Sequence, residues 1–91
     1  MQKRTKGQKM STTNFDIEIG LVLHTERKRQ GKKQEEVAKY LGVSLCQYQK
    51  YENGKSKISP IMLLQLGYFL GKSGGELFSE AEKQYYKNQI N

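Results

Sequence analysis

The sequence predicts an all-α fold of five helices with a C-terminal helical extension, behind a disordered basic N-terminal tail. Three observations carry this. Residues 34–54, QEEVAKYLGVSLCQYQKYENG, divide into two short helical segments joined by a tight glycine turn. Apolar residues recur at helical spacing on both sides of that stretch. Helix-start signals recur too: Ser44 with Gln47, Ser73 with Glu76 and Ser79 with Glu82 have the spacing of a capping box, and Ser59-Pro60 sets an N-cap before a first-turn proline.

Composition narrows the possibilities. A chain of 91 residues has room for one domain with a modest core. Sixteen Lys and Arg against nine acids give a formal charge of +7, which attracts a polyanion, either nucleic acid or an anionic membrane surface. The longest mostly apolar run, Ile61 to Leu70, is interrupted by Gln65 and is too short to span a bilayer. The basic start leads into STTNFDIEIG and not into the apolar core of a signal peptide. Cys46 is the only cysteine, so no intramolecular disulfide is possible and a cytoplasmic location is the natural expectation.

Residues 1–13 carry Lys3, Arg4, Lys6 and Lys9 without an acid and bury too little to offset the entropy of ordering, so a disordered basic tail is expected. Such a tail is either a solvated terminus or an arm that follows phosphate. The first helix should run from about Phe15 to Gln30, with Ile19, Val22 and Leu23 inward and Gly31 at its end. The second, Gln34 to Leu41, keeps Val37, Ala38 and Leu41 on one face. Gly42 then permits a turn at positive φ, and Val43 drops towards the core. The third spans 44–53, holds Tyr48 and Tyr51 inward, and turns Leu45, Cys46, Gln47, Gln49 and Lys50 outward, with no acid among them. A loop follows, carrying Lys55 and Lys57, with Ile58 plugging the core. The fourth helix holds Ile61, Leu63, Leu64, Leu66, Phe69 and Leu70, more apolar positions than one core face needs. The Ser73 box then introduces a short helix with Leu77 and Phe78, and the Ser79 box a separate final helix bearing Tyr85, Tyr86 and Ile90. The expected organisation is a tail over 1–13, a helix-turn-helix domain over 14–78 and a helical extension over 79–91.

Gln34, Val37, Ala38, Gly42, Val43, Ser44, Tyr48, Glu52, Asn53 and Gly54 resemble the helix-turn-helix pattern of the Cro and phage-repressor (XRE-type) family of DNA-binding proteins. Ile19-Gly20, Leu23, Arg27 and Gly31 before it, and Leu63, Leu66, Leu70-Gly71 and Leu77-Phe78 after it, extend the resemblance over about residues 17–78. It implies a five-helix lambda-repressor-like domain with its third helix in the major groove of double-stranded DNA. It implies base contacts from Leu45, Cys46, Gln49 and Lys50, and phosphate contacts from Lys33, Gln34, Gln47, Asn53, Lys55 and Lys57. It also implies a structural ion pair between Arg27 and Glu52. Four positions depart from the pattern: Glu26, Lys32, Lys72 and Gly74 stand where apolar residues are usual. From this, either the first-helix packing is thinner or the Glu26 and Lys32 stems cover apolar surface while their heads reach water or each other. The turn around Lys72 and Gly74 should be loosely held.

Enzyme chemistry finds no support. His24 has no second histidine or cysteine at ligand spacing, no Walker or dinucleotide-binding pattern occurs, and Cys46 lacks a recognisable basic partner, so neither metal nor cofactor is expected. A redox role for Cys46, close to a helix N-terminus on a positive surface, stands against the plainer reading of a small side chain packing on a base edge. The resulting expectation is a dimeric, sequence-specific transcriptional regulator, of repressor type, on a palindromic operator, with no membrane partner and no small-molecule ligand. Its rivals are a restriction-modification controller or an antitoxin of the same fold, a protein-binding adaptor, and an RNA-binding protein.

Overall fold

Five helices follow one another in the structure, a computed structural model that describes residues 13–90, with side chains through Asn88: α1 (Asn14–Arg29), α2 (Gln34–Leu41), α3 (Leu45–Glu52), α4 (Pro60–Leu70) and α5 (Gly74–Ile90). No strand occurs among the described residues. The expected tail lies outside them except for Thr13, as does the side chain of Ile90.

Each helix starts where a side chain satisfies free backbone donors. The Thr13 N–H donates to the Asp16 carboxylate at 2.6 Å, and the Lys33 N–H to Glu36 at 2.7 Å. Ser44 Oγ accepts from the Gln47 N–H at 3.0 Å, half of the expected capping box. Ser59 Oγ accepts from Met62 at 3.1 Å, with Pro60 in the first turn. The Ser73–Glu76 box is complete, with both bonds at 2.9 Å. Between α2 and α3 the chain reverses at Gly42, whose φ of +75° suits a residue without Cβ.

α1 packs against α3 and α5, α2 against α3 and α4, and α4 against α5. Leu23, Val37, Tyr48, Leu66, Leu70 and Leu77 are fully buried between them. Each such leucine contributes about 1.5–3 kcal/mol. Gly20 permits the closest crossing, since a Cβ there would run into the carbonyls of Tyr51 and Glu52 at the end of α3. That approach fixes α3 against α1.

The fifth helix corrects one expectation. No break occurs at Ser79, and α5 is continuous from Gly74 to Ile90. The serine signal is overridden by a stripe that crosses the expected boundary, Leu77, Ala81 and Tyr85, at four-residue spacing. Leu77 and Ala81 are fully buried. Phe15 lies 5.0 Å from the Phe78 ring and 5.6 Å, edge-on, from the Tyr85 ring, so Tyr85 folds back on its own domain while Tyr86 stays exposed. Asn88 donates to Glu18 at 2.6 Å near the end of the helix.

Of the four departures from the family pattern, Lys32 covers apolar surface as one expectation had it, and the other three resolve differently. Glu26 is buried and reaches neither water nor Lys32; its carboxylate lies 2.6 Å from Arg29 and 3.2 Å from Lys72, which also pairs with Glu80. Burial raises the Glu26 pKa, yet hydrogen bonds from Arg29 and Lys72 hold it below its ordinary value. Lys32 places its ammonium 4.7 Å above the Phe69 ring, which stacks on Tyr40. The turn at Lys72 and Gly74 is therefore tied down by charge at one residue and by close contact with the Leu64 backbone at the other.

Candidate nucleic-acid interface

Within the α2–turn–α3 unit, the outer face of α3 carries no acid, and the exposed acids Glu35 and Glu36 stand on the first turn of α2. On α3, Leu45, Cys46, Gln49 and Lys50 are exposed, while Tyr48, Tyr51 and Glu52 are buried on the opposite side. The 3.6-residue period turns positions 46 and 50 away from the buried side held by 48, 51 and 52 and leaves 49 at its flank, while Leu45, in the first turn, is exposed at the start of the helix. Gln47 is half-buried beside the Ser44 cap. The only acid of α3 is thus removed from its outer face.

Glu52 is the hub behind this surface. Its carboxylate accepts from Arg27 Nε at 2.6 Å, from Arg27 NH2 at 3.2 Å, from the Tyr48 hydroxyl at 2.6 Å and from Gln34 Nε2 at 3.0 Å, and His24 Nδ1 lies 3.1 Å away. Burial on its own pushes this carboxyl upwards. The hydrogen bonds from Arg27, Tyr48, Gln34 and His24 outweigh burial and bring it down to about 2. The same bonds raise Arg27, and burial together with Glu52 raises Tyr48. Arg27 NH1 also donates to the Lys32 carbonyl at 2.9 Å, so one guanidinium ties α1, α3 and the approach to α2 together.

The network continues outward to the exposed face. Gln34, half-buried at the start of α2, donates to Glu52 and accepts at its Oε1 from Gln49 Nε2 at 3.1 Å. A line of hydrogen bonds therefore connects the buried ion pair to an exposed side chain of α3. The resemblance assigned Gln34 to phosphate and Gln49 to bases; the contact between the two was not visible in their spacing. His24, read as an ordinary helix histidine, belongs to the same cluster.

The flanking cations sit differently from one another. Lys33 and Lys55 are exposed. Asn53 Oδ1 accepts from the Lys55 N–H at 3.1 Å, which shapes the turn after α3 and leaves the Asn53 amide nitrogen outward. Lys57 lies 3.1 Å from Asp16, so α1 already engages its charge. Cys46 is an exposed free thiol. Among the described residues no cluster of three or more potential metal ligands occurs, and no helix is long and apolar enough to cross a membrane.

A helix-turn-helix (HTH_3) family model matches residues 23–77. Among solved structures, the chain is similar to the clp gene regulator ClgR from Corynebacterium glutamicum, with a TM-score of 0.77 and 22% identity over 84% of this chain and 81% of that one. It is also similar to the restriction-modification controller protein C.AhdI from Aeromonas hydrophila, with a TM-score of 0.67 and 25% identity over 71% of this chain and 98% of that one. An HTH_3 family transcriptional regulator from Vibrio cholerae gives a TM-score of 0.64 and 26% identity over 72% of this chain but 37% of that one. No curated protein matches significantly.

Proposed function

The chain belongs to the XRE-type helix-turn-helix (HTH_3) family, and from that premise we propose that it is a sequence-specific regulator of transcription that binds double-stranded DNA as a dimer, represses from a palindromic operator and works in the cytoplasm. The observation that carries the reading is the outer face of α3, where four exposed side chains stand without an acid. With α3 in the major groove, Leu45 suits a thymine methyl, Gln49 suits adenine, Lys50 suits guanine, and Cys46 packs against a base edge. Lys33, Gln34, Gln47, Asn53, Lys55 and Lys57 then set register on phosphates without reading sequence.

A dimer is favoured by α4. Ile61, Leu64 and Tyr68 follow one another along one side of the helix and remain 64%, 61% and 84% exposed. An apolar stripe of that kind marks an interaction surface more often than a free one. A two-fold pair of domains would place two α3 helices on half-sites about 34–36 Å apart. The similarity to a restriction-modification controller favours one specific variant of this reading, control of such an operon, with the same DNA chemistry.

The test is a gel-shift panel at fixed salt, with mixed-sequence duplex, single-stranded DNA and structured RNA, followed by selection of a preferred site from random duplexes. Duplex should bind tightest and selection should return an inverted repeat. Preference for RNA, or no binding to any nucleic acid, would refute the proposal in favour of an RNA-binding or adaptor role.

A further inference from the structure

We propose that His24 is a pH-dependent contact to a DNA backbone phosphate, with its imidazole Nε2 donating to a phosphate seated where α1, α2 and α3 meet. This inference rests on the DNA-binding reading and adds a residue, on α1, that neither the motif nor the family resemblance supplies. The place is a cleft of about 440 Å3 lined by Leu21, His24, Gln34, Gln49, Glu52 and Asn53. Gln34, Gln49 and Asn53 are the residues already assigned to DNA, so His24 shares their surface and faces the same ligand.

The ring is oriented by the hub. Its Nδ1 lies 3.1 Å from Glu52 Oε1 and 3.2 Å from Arg27 NH2. When Nδ1 carries a proton it donates to Glu52; when it does not, it accepts from Arg27. Both arrangements hold the ring in one place. Nε2, across the ring, has no hydrogen-bond partner among the described residues, and the His24 side chain is 49% exposed. An oriented, half-exposed ring that lines the cleft and has its second nitrogen unpaired among the described residues can donate to a ligand acceptor.

The charges around it single out His24 as the group that responds. From α1 the cation facing it is Arg27, and from α3 the anion facing it is Glu52; these two are paired with each other at 2.6 Å. From α2 and the turn after α3 the neighbours are the neutral amides of Gln34 and Asn53. Gln34 keeps one amide hydrogen beyond the one it gives Glu52, and Asn53 keeps its amide nitrogen. These donors are neutral at every pH of interest. Histidine is the side chain that gains charge between about pH 5 and 8, and an imidazolium offers both a donor and a positive charge to a phosphate. A neutral ring with its proton on Nδ1 turns a lone pair towards the same oxygen, and one with its proton on Nε2 donates but brings no charge; only the imidazolium brings both. Phosphate binding and protonation of His24 are therefore linked, and affinity for DNA falls as pH rises.

The experiment is fluorescence anisotropy of a labelled 24-base-pair mixed-sequence duplex against the whole protein, over about pH 5.5 to 8.5 and at several salt concentrations. Mixed sequence suffices because a phosphate contact reads no base. The wild type should bind several-fold more tightly at the acid end, and its log K against log salt should steepen there by about 0.9 for each protomer bound. His24→Gln should keep the weak alkaline affinity and the shallower slope throughout, and His24→Lys should keep the tight affinity and steeper slope throughout. A structural role for the ring would not move the salt slope, and thermal melts of both variants show that the fold is retained. A wild-type pH profile and salt slope left unchanged in His24→Gln would overturn the inference while leaving DNA binding intact. No binding by the wild type at any pH would instead overturn the DNA-binding reading beneath it.

Discussion

Exchanging Glu52 for glutamine should destabilise the protein by about 3–5 kcal/mol at neutral pH, because it strands the buried Arg27 cation. The structure shows why an amide is a poor substitute. Arg27, Tyr48, Gln34 and His24 all approach the carboxylate as donors, and an amide offers one oxygen while adding two donors of its own. Acid linkage expresses the same contacts as a dependence on pH. The carboxyl titrates near 2 in the fold against an ordinary value of 4.5, and a depression of that size corresponds to about 3 kcal/mol. Because the folded pKa is the lower one, this stability is fully present above about pH 4.5 and is lost as pH falls towards 2. Urea melts from pH 7 to pH 2 should therefore show the wild type losing its advantage over Glu52→Gln across that interval. Pairing Arg27→Met with Glu52→Gln should cost less than the two single changes together, since neither charge is then left alone. A variant less than about 1 kcal/mol weaker at pH 7, with the same acid slope as the wild type, would refute the assignment of Glu52 as the charged hub.

Three further outcomes follow from the geometry. Gln49→Ala or Lys50→Ala should cost about 1–3 kcal/mol on a selected site and relax preference at one position per half-site, and Gln34→Ala, besides losing its phosphate contact, should relax the same position as Gln49→Ala because it frees that side chain; competition gel shifts with point-substituted sites check this, and uniform weakening by a change at Gln49 or Lys50 would reassign that residue to phosphate. Lys55→Ala should lower the slope of log K against log salt by about 0.9, while Lys57→Ala should lower it by less because Asp16 already holds that ammonium; anisotropy titrations in salt series measure both. Leu64→Glu or Tyr68→Glu should shift sedimentation towards monomer and lower the melting temperature only to that of the folded monomer, whereas cutting the chain after Phe78 would also remove the buried Ala81 and unfold the domain.

What was legible in the sequence is what depends on neighbours in sequence. Gly42, Ser44 and the spacing of Val37, Ala38, Tyr48 and Tyr51 constrain turn, cap and buried face within one or two helical turns, and α2 and α3 follow. Arg27 with Glu52 came through the resemblance. The misread features depend on partners far along the chain. Glu26 and Lys72 each look like a flaw in a helical stripe, yet in space they are one ion pair that joins α1 to the turn before α5. Ser79 carries a valid local signal, but the stripe of Leu77, Ala81 and Tyr85 gains more from packing on α1 and α4 than a helix start would gain from a cap. Asp16 likewise joins Lys57 across most of the domain, and no pattern within either segment announces it.

The same distinction explains how the interface is held ready. A glutamine on a surface helix ordinarily samples several rotamers, and ordering it on DNA costs entropy in the rotamer-rich part of its side chain. Here Gln49 donates one amide hydrogen to Gln34, Gln34 donates to Glu52, and Glu52 is fixed by Arg27 and Tyr48. That line leaves Gln49 with its oxygen and its second amide hydrogen, the acceptor and donor that adenine requires of a bidentate partner. The buried ion pair thus has two consequences. It joins α1 to α3, and through Gln34 it sets the direction of a side chain on the outer face before any DNA arrives.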